Sequence, residues 1–223
     1  MAVKLSERLL AAASLIRGGG IVADIGTDHG YLPVYLIENG IIKKAFGADI
    51  GKMPLENAAK AVEQYNLSDK IELRLSDGLK EFSPDEADEF VFAGMGGTLI
   101  KEKLAETPWV KNPKYHFVFQ PQSRAEDLRE FLFKNGFTIN SEIAVCEGRR
   151  VYIAFDASYT GETVKYTLAD CFIGKLKPDE NAKLHIKNQM SRLLKKYNAN
   201  AGTQKEQAEL KEIIEAMKEF INA

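Results

Sequence analysis

Apolar and polar positions change period several times along the chain, and each change marks an element. Leu5, Leu9, Ala12, Ala13 and Ile16 recur at helical spacing, which predicts an amphipathic helix ending at Gly18-Gly19-Gly20. Residues 21–25, Ile-Val-Ala-Asp-Ile, read as a short strand of the kind buried inside a parallel sheet. A helix over 32–39 follows, with Pro33 in its first turn, where a missing N–H costs nothing, and Gly40 at its end. The alternation continues with a strand at 45–49, a helix at 54–65, strands at 70–75 and 89–93, a helix through Leu104 and a strand at 115–119. Ser123 and Glu126 have the spacing of a capping box for a helix running to Asn135. Runs at 138–146 and 151–155 are separated by Glu147-Gly148-Arg149-Arg150, a hairpin-length turn. Strands alternating with helices, closed by a hairpin, predict an α/β doubly wound sheet with one antiparallel strand.

Beyond Thr160 the alternation stops. Leu184, Met190, Leu193, Leu194 and Tyr197 mark one helical stripe; Leu210, Ile213, Ile214, Met217, Phe220 and Ile221 mark another. The link Asn198-Ala199-Asn200-Ala201-Gly202-Thr203 is short enough for antiparallel neighbours. The expected organisation is therefore a sheet domain over 1–160 and a helical, coiled-coil-like hairpin over 161–223.

Composition narrows the possibilities. With 223 residues, 45% of them apolar, the chain can bury a full core and carry an appendage. Its two cysteines, Cys146 and Cys171, lie far apart, so neither a disulfide framework nor a zinc site is indicated. No apolar run approaches the roughly 18–20 residues that span a bilayer, and the first residues lack a signal-peptide layout. The expectation is a reduced, soluble, cytoplasmic protein. The net charge of −2 argues against a uniformly basic nucleic-acid binder, yet it conceals a gradient. Residues 161–223 hold 11 Lys/Arg and 9 Asp/Glu, a net of +2, which leaves −4 for residues 1–160.

The chemistry concentrates at 21–31, IVADIGTDHGY. A strand ending in an acid, then Gly26, then Gly30 as a helix opens, has the form of a nucleotide-binding turn. A dinucleotide fingerprint needs a middle glycine so that backbone amides can close on a pyrophosphate. Asp28 stands in that place here, and a carboxylate beside a diphosphate would be repelled. The pattern Asp24-x-Gly26-x-x-x-Gly30 points instead to a ligand without phosphates, and S-adenosylmethionine, with its cationic ammonium and sulfonium, fits. Asp49, 25 residues after Asp24, ends the second strand where a carboxylate can accept from both ribose hydroxyls. Asp77 before Gly78 can accept from the adenine amino group or serve as an ordinary Asp-Gly turn. Gly94, Gly96 and Gly97 around Met95 allow close backbone approach after the fourth strand. His116 and His185 fall within strand and helix patterns and read as structural. No hydrolytic triad and no metal-ligand spacing is visible.

These stretches together resemble the bacterial tRNA (adenine-22-N1)-methyltransferase family, TrmK. The similarity covers IVADIGTDHGYLPVYL, GADI, SDGL, VFAGMGGTLI and the QPQ…LR…L…GF block leading to the E…E…YIAF hairpin, which is essentially residues 1–157. It implies a Rossmann-like class I methyltransferase domain followed by a helical coiled-coil domain, with S-adenosylmethionine as cofactor. It places Asp24, Gly26, Thr27, Asp28, His29, Gly30, Asp49, Ile50, Asp77, Gly78, Gly94, Met95 and Gly96 around the cofactor or the methyl-transfer site, and it implies N1-methylation of adenine 22 in the tRNA D-arm. Adenine N1 already presents an in-plane lone pair, so no proton must leave before attack, and the product is a cation. Adenine-N6 enzymes carry (D/N)-P-P-(Y/F) after the fourth strand; Ala93-Gly94-Met95-Gly96 departs from it and argues against N6 chemistry. Asp28 as charge stabiliser, His29 as positioning group and Tyr31 as stacking surface are the catalytic candidates, or else they only shape the cofactor loop. Lys175, Lys177, Lys183, Lys187, Arg192, Lys195 and Lys196 fall within 22 residues, against only Asp179 and Glu180. Of these, Lys183, Lys187, Arg192, Lys195 and Lys196 are the expected tRNA contacts, or a solvated face. A small-molecule methyltransferase with a helical lid, and a non-enzymatic S-adenosylmethionine-binding adaptor, are the competing readings. Methyl transfer to bulk tRNA separates them.

Overall fold

Seven strands form one sheet: β1 (Ile21–Ile25), β2 (Lys44–Asp49), β3 (Ile71–Leu75), β4 (Glu89–Ala93), β5 (His116–Gln120), β6 (Phe137–Glu147) and β7 (Arg150–Tyr159), in the order β3-β2-β1-β4-β5-β7-β6. The structure, a computed structural model, describes residues 3–200 and 202–223, so Ala201 of the expected link lies outside the described residues. Strands β1 to β5 pair in parallel, and β7 runs antiparallel to both β5 and β6. This is the doubly wound sheet with one antiparallel strand that the sequence predicts. Strand β7 runs past its expected end at 155, because its ladder with β6 continues to Tyr159 opposite Phe137.

Alternation within the strands sorts the core into two faces. Phe90 and Phe92 of β4 and Phe117 and Phe119 of β5 point one way, and Phe90 stacks on Phe117 at 5.6 Å and Phe92 on Phe119 at 5.8 Å. Val22, Val91 and Val118 point the other way. The valine face is covered by α1 (Glu7–Ser14), α2 (Tyr31–Glu38) and α3 (Lys52–Gln64), through Ala12, Ala13, Val34, Leu36 and Val62. The aromatic face is covered by α4 (Gly97–Ala105) and α5 (Ala125–Lys134) and also by the C-terminal helices α7 (Glu180–Asn198) and α8 (Gln204–Asn222). Ala182, Ile186, Ile213 and Met217 of that pair belong to the same buried cluster as the phenylalanines. No helix among the described residues is long and apolar enough to cross a membrane.

Three local expectations are corrected. Ser123 does not cap α5. Arg124 takes the N-cap position with φ 56°, its guanidinium bonds Asp127 at 2.8 and 3.0 Å, and the Ser123 carbonyl accepts from the Gly97 amide at 2.7 Å. Backbone pairing of Ser123 to the loop before α4 thus overrides its capping propensity. A short helix, α6 (Leu168–Ile173), precedes α7 and is opened by a Thr167–Asp170 capping box. Six residues are too few for a period to be read. The buried stripe of α7 includes Ala182 and Ile186, whereas Leu184 is exposed.

Two buried polar clusters fix the sheet and its appendage. The His116 ring bonds Glu89 at 2.6 Å through Nδ1 and Asp156 at 2.9 Å through Nε2, linking β4, β5 and β7. Burial opposes the charged imidazole, but the bonds to Asp156 and Glu89 outweigh it and raise its pKa. His185, on α7, donates to or accepts from Gln189 at 2.7 Å, and burial first, then Arg129 and Arg192, lower its pKa to about 4. The second cluster is the ion pair of Arg129 (α5) with Glu142 (β6), both side chains 0% exposed. Arg129 Nη1 donates to the Cys171 carbonyl at 2.7 Å, and Glu142 Oε2 accepts from the Lys175 amide at 2.9 Å. One ion pair therefore ties α5 and β6 to the end of α6 and the chain entering α7.

Removing one member of such a pair strands the other charge. Arg129→Met should cost about 3–5 kcal/mol in urea denaturation, and Arg129→Met with Glu142→Leu should recover most of that loss. Equal stabilities for the single and double variants would contradict the pairing.

Candidate active site at the carboxyl edge of the sheet

Parallel pairing brings the carboxyl ends of β1, β2, β3 and β4 to one edge, and most of the expected site residues gather there. Asp24 is buried near the end of β1, and Asp49 is half-buried at the end of β2 with Oδ1 accepting from the Gly51 amide at 2.8 Å. Burial first, and the nearby Asp49 charge in addition, raise the Asp24 pKa to about 7, with the Thr27 hydroxyl working against both. Neither turn that meets here, 24–31 or 48–51, contains a Lys or Arg. This part of the edge, where Asp24 and Asp49 lie, suits a cation.

The β1–α2 turn folds over the end of β2. The amides of Gly26 and Thr27 both donate to the Ala48 carbonyl, at 2.8 and 2.9 Å, and Gly30 closes the turn onto the Thr27 carbonyl at 2.8 Å. Gly30 has φ 67°, and a Cβ there would lie 3.1 Å from the Ala58 Cβ of α3, so only glycine lets the turn and helix approach so closely. Asp28 is a non-glycine residue with φ 38°, a strained conformation, and its carboxylate is exposed. Its Oδ2 lies 3.5 Å from His29 Nε2, and the His29 and Tyr31 rings stack with centroids 5.4 Å apart. Ile50 and Met53, 71% and 73% exposed, add apolar surface beside Asp49. A Cβ on Gly26 would come 3.2 Å from Met95 Sδ, so the first turn and the β4 loop face each other. Gly96 is the N-cap of α4.

Asp77 sits differently. Both of its oxygens are ion-paired, Oδ1 to Lys103 at 2.8 Å and Oδ2 to Lys80 at 2.6 Å, and these bonds, Lys103 first, lower its pKa. Gly78 is glycine because the Lys103 stem passes over it, 2.6 Å from where a Cβ would stand. Lys187, Arg192, Lys195 and Lys196 are exposed and Lys183 half-buried; they make no salt bridge among the described residues and lie on a different element from the strand ends. A surface concavity of about 340 Å³ lies between α4 and α5 and contains none of the strand-end residues.

Sequence patterns miss one part of this edge. Gln120 Oε1, fully buried at the end of β5, accepts from the Gly94 amide and from Arg8 Nη1, each at 3.2 Å. The Gln122 amide bonds the Met95 carbonyl at 2.8 Å. The β4 loop is thereby stitched to the β5–α5 loop, and Arg8 of α1 reaches the candidate site across 112 residues of sequence.

Comparison with known proteins agrees with this geometry. Residues 5–155 match the model of a family described as a methyltransferase domain. The tRNA (adenine(22)-N(1))-methyltransferase of Bacillus subtilis is 30% identical over 236 residues, covering 99% of this chain and 98% of that protein. The chain belongs to the tRNA (adenine(22)-N(1))-methyltransferase family. Among solved structures similar to it, Streptococcus pneumoniae Sp1610 in complex with S-adenosyl-L-methionine is 31% identical with a TM-score of 0.82, covering 98% of this chain and 100% of that one. M. capricolum TrmK in complex with S-adenosyl-homocysteine is 26% identical with a TM-score of 0.81, covering 98% of each chain. The cofactor of this family is S-adenosylmethionine, and the acidic, glycine-turned edge fits it.

Asp24 makes the site sensitive to pH. An acid whose pKa rises from 3.8 to about 7 on folding takes up its proton preferentially in the folded state. Its contribution to stability is therefore present at low pH and lost as pH rises towards 7. Asp24→Asn should raise the melting temperature of the free protein at pH 8, by roughly 2–4 °C per kcal/mol recovered, with little change near pH 4. S-adenosylhomocysteine affinity should fall in the same variant and lose its rise through neutrality. Asp49→Ala should weaken that ligand by about 1.5–3 kcal/mol in calorimetric titration, the value of a charge-assisted hydrogen bond. Unchanged affinity in a folded Asp49 variant would remove it from the site.

Proposed function

We propose that this chain transfers the methyl group of S-adenosylmethionine to N1 of adenine 22 in the D-arm of tRNA. The observation that carries the reading is the pair of neighbouring carboxyls Asp24 and Asp49, beside glycine turns that hold no Lys or Arg, in a chain matched over its whole length by an enzyme of that name. S-adenosylmethionine supplies an electrophilic methyl group when bound. The protein's part is positioning. In this reading Asp49 receives the ribose hydroxyls, Ile50 lies against the adenine, and Asp24 with the Gly26–Gly30 turn faces the cationic amino-acid portion. Asp77, Gly78, Gly94, Met95 and Gly96 complete the wall.

The acceptor nitrogen brings its own lone pair, so no side chain has to remove a proton before attack. What the transfer creates is positive charge on the adenine ring, and its stabilisation is assigned to Asp28, an exposed carboxylate in the turn with φ 38°. His29 and Tyr31, stacked on each other, offer a surface against which an extruded base can rest. Lys183, Lys187, Arg192, Lys195 and Lys196 of the helical region, taken as 161–223, are assigned to the tRNA backbone. Ala182, Ile186, Ile213 and Met217 pack into the sheet's own core, which speaks against a lid that swings over a small substrate. The compartment that goes with a tRNA substrate is the cytoplasm.

Incubation with tRNA and labelled cofactor, followed by nuclease digestion and mass spectrometry against standards, tests this directly. The expected product is N1-methyladenine mapping to position 22. N6-methyladenine alone, or no label in tRNA, would overturn the assignment.

A further inference from the structure

The β6–β7 hairpin extends beyond its neighbours on the side of the candidate site. The last paired residues of β5 and β7 are Phe119 and Phe155, yet β6 and β7 remain paired out to Glu147 and Arg150. Four residues of β7, 150–153, therefore project past the end of β5, about 13 Å at roughly 3.3 Å per residue. Since β5 is parallel to β1–β4, this overhang stands on the edge that carries Asp24, Asp49 and Gly94, on its far side from β2. Gly148, with φ 61°, allows the two-residue turn at the tip.

The overhang is braced from both sides. Glu147 Oε2 accepts from the Arg8 amide at 3.0 Å, in the first turn of α1, where the helix dipole favours a carboxylate. On the other side, Asn181 of α7 bonds the Ala144 carbonyl at 3.3 Å and the Cys146 thiol at 3.1 Å. What the braced hairpin presents is charge: Arg149 and Arg150 are exposed and make no salt bridge among the described residues. Arg8, at its base, is held by Gln120 and Glu147.

We infer that this overhang is a phosphate clamp for the strand that bears the target base, with Arg149 and Arg150 as its contacts and Arg8 at its foot. The inference rests on the reading of the substrate as tRNA. The acidic cofactor side repels a polyanion, so the backbone flanking the base must be gathered from the β5 side, where arginines stand. Their forked donors match phosphate oxygens, whereas a guanidinium against the ring would oppose the cation that methylation creates. A clamp on two fixed strands holds the flanking backbone in register with the site, a task for which helix α7 alone stands on the wrong element.

The experiment compares the full chain with Arg149→Ala/Arg150→Ala and with Lys43→Ala/Lys44→Ala, which removes the same charge from the opposite edge of the sheet. Filter binding of tRNA across a salt series is the readout, with calorimetry of S-adenosylhomocysteine and thermal melting as controls. The hairpin variant should bind tRNA roughly tenfold more weakly at low salt, and its log–log salt slope should shrink by about 1.4–1.8. Its cofactor affinity and melting temperature should match the parent's, and the Lys43/Lys44 variant should resemble the parent throughout. Parental affinity and slope in the hairpin variant, or an equal loss in the lysine variant, would overturn the clamp. Mapping of methyl groups in the parent separates the two readings. A hairpin effect without methylation at adenine 22 leaves the clamp standing and sinks the substrate assignment; a parent with no tRNA affinity sinks both.

Discussion

The parallel pairing of β1 with β2 on one side and β4 on the other is the constraint from which the rest of the molecule follows. It fixes Asp24 beside Asp49 and brings the Gly26 turn against Met95 on one edge. It also buries both faces of the sheet, so the strands must be apolar throughout, and an acid near a strand end stands out because nothing in the packing requires it. The unfavourable burial of Asp24 is tolerated where a cationic ligand can relieve it. A site that stabilises its ligand's charge is thus obtained at the expense of the free protein's stability above neutrality.

Charge is partitioned across this edge. The β1–β2 side carries carboxyls and, in the turns that meet there, no basic residue; the β5 side carries Arg8 and the hairpin arginines. The Arg129–Glu142 pair, by tying α5 and β6 to the end of α6 and the chain entering α7, keeps the helical region in a fixed relation to β6. Cofactor and polyanion are then assigned to separate electrostatic surfaces of one packed molecule.

Much of this was legible in the chain because it depends on local pattern. Apolar runs of five residues ending in Asp or Gly mark β1, β2 and β4, and their alternation with helical stripes implies the sheet. Contacts between distant residues left no such trace. Ser123 carries a capping signature, but its carbonyl is claimed by Gly97, a contact that no local pattern encodes. Arg8 reads as one polar position on an amphipathic helix; only the fold places it against Gln120. Leu184 continues a plausible stripe, yet α7 turns Ala182 and Ile186 inward instead, on the side where Asn181 bonds the Ala144 carbonyl of β6. Asp77 reads equally as a ligand acceptor and a turn; Lys80 is a local partner three residues on, but Lys103 comes from α4 and only the fold brings it there.

Chemistry at this edge depends on an acceptor that needs no deprotonation, and a modified substrate isolates that requirement. The most direct measurement is methyl transfer to tRNA in which adenine 22 is replaced by 1-deazaadenine, which keeps the outline and amino group of the base but has C–H in place of N1. Binding at parental affinity with no methyl transfer is the predicted result. Continued transfer, with the methyl on the amino nitrogen, would contradict it.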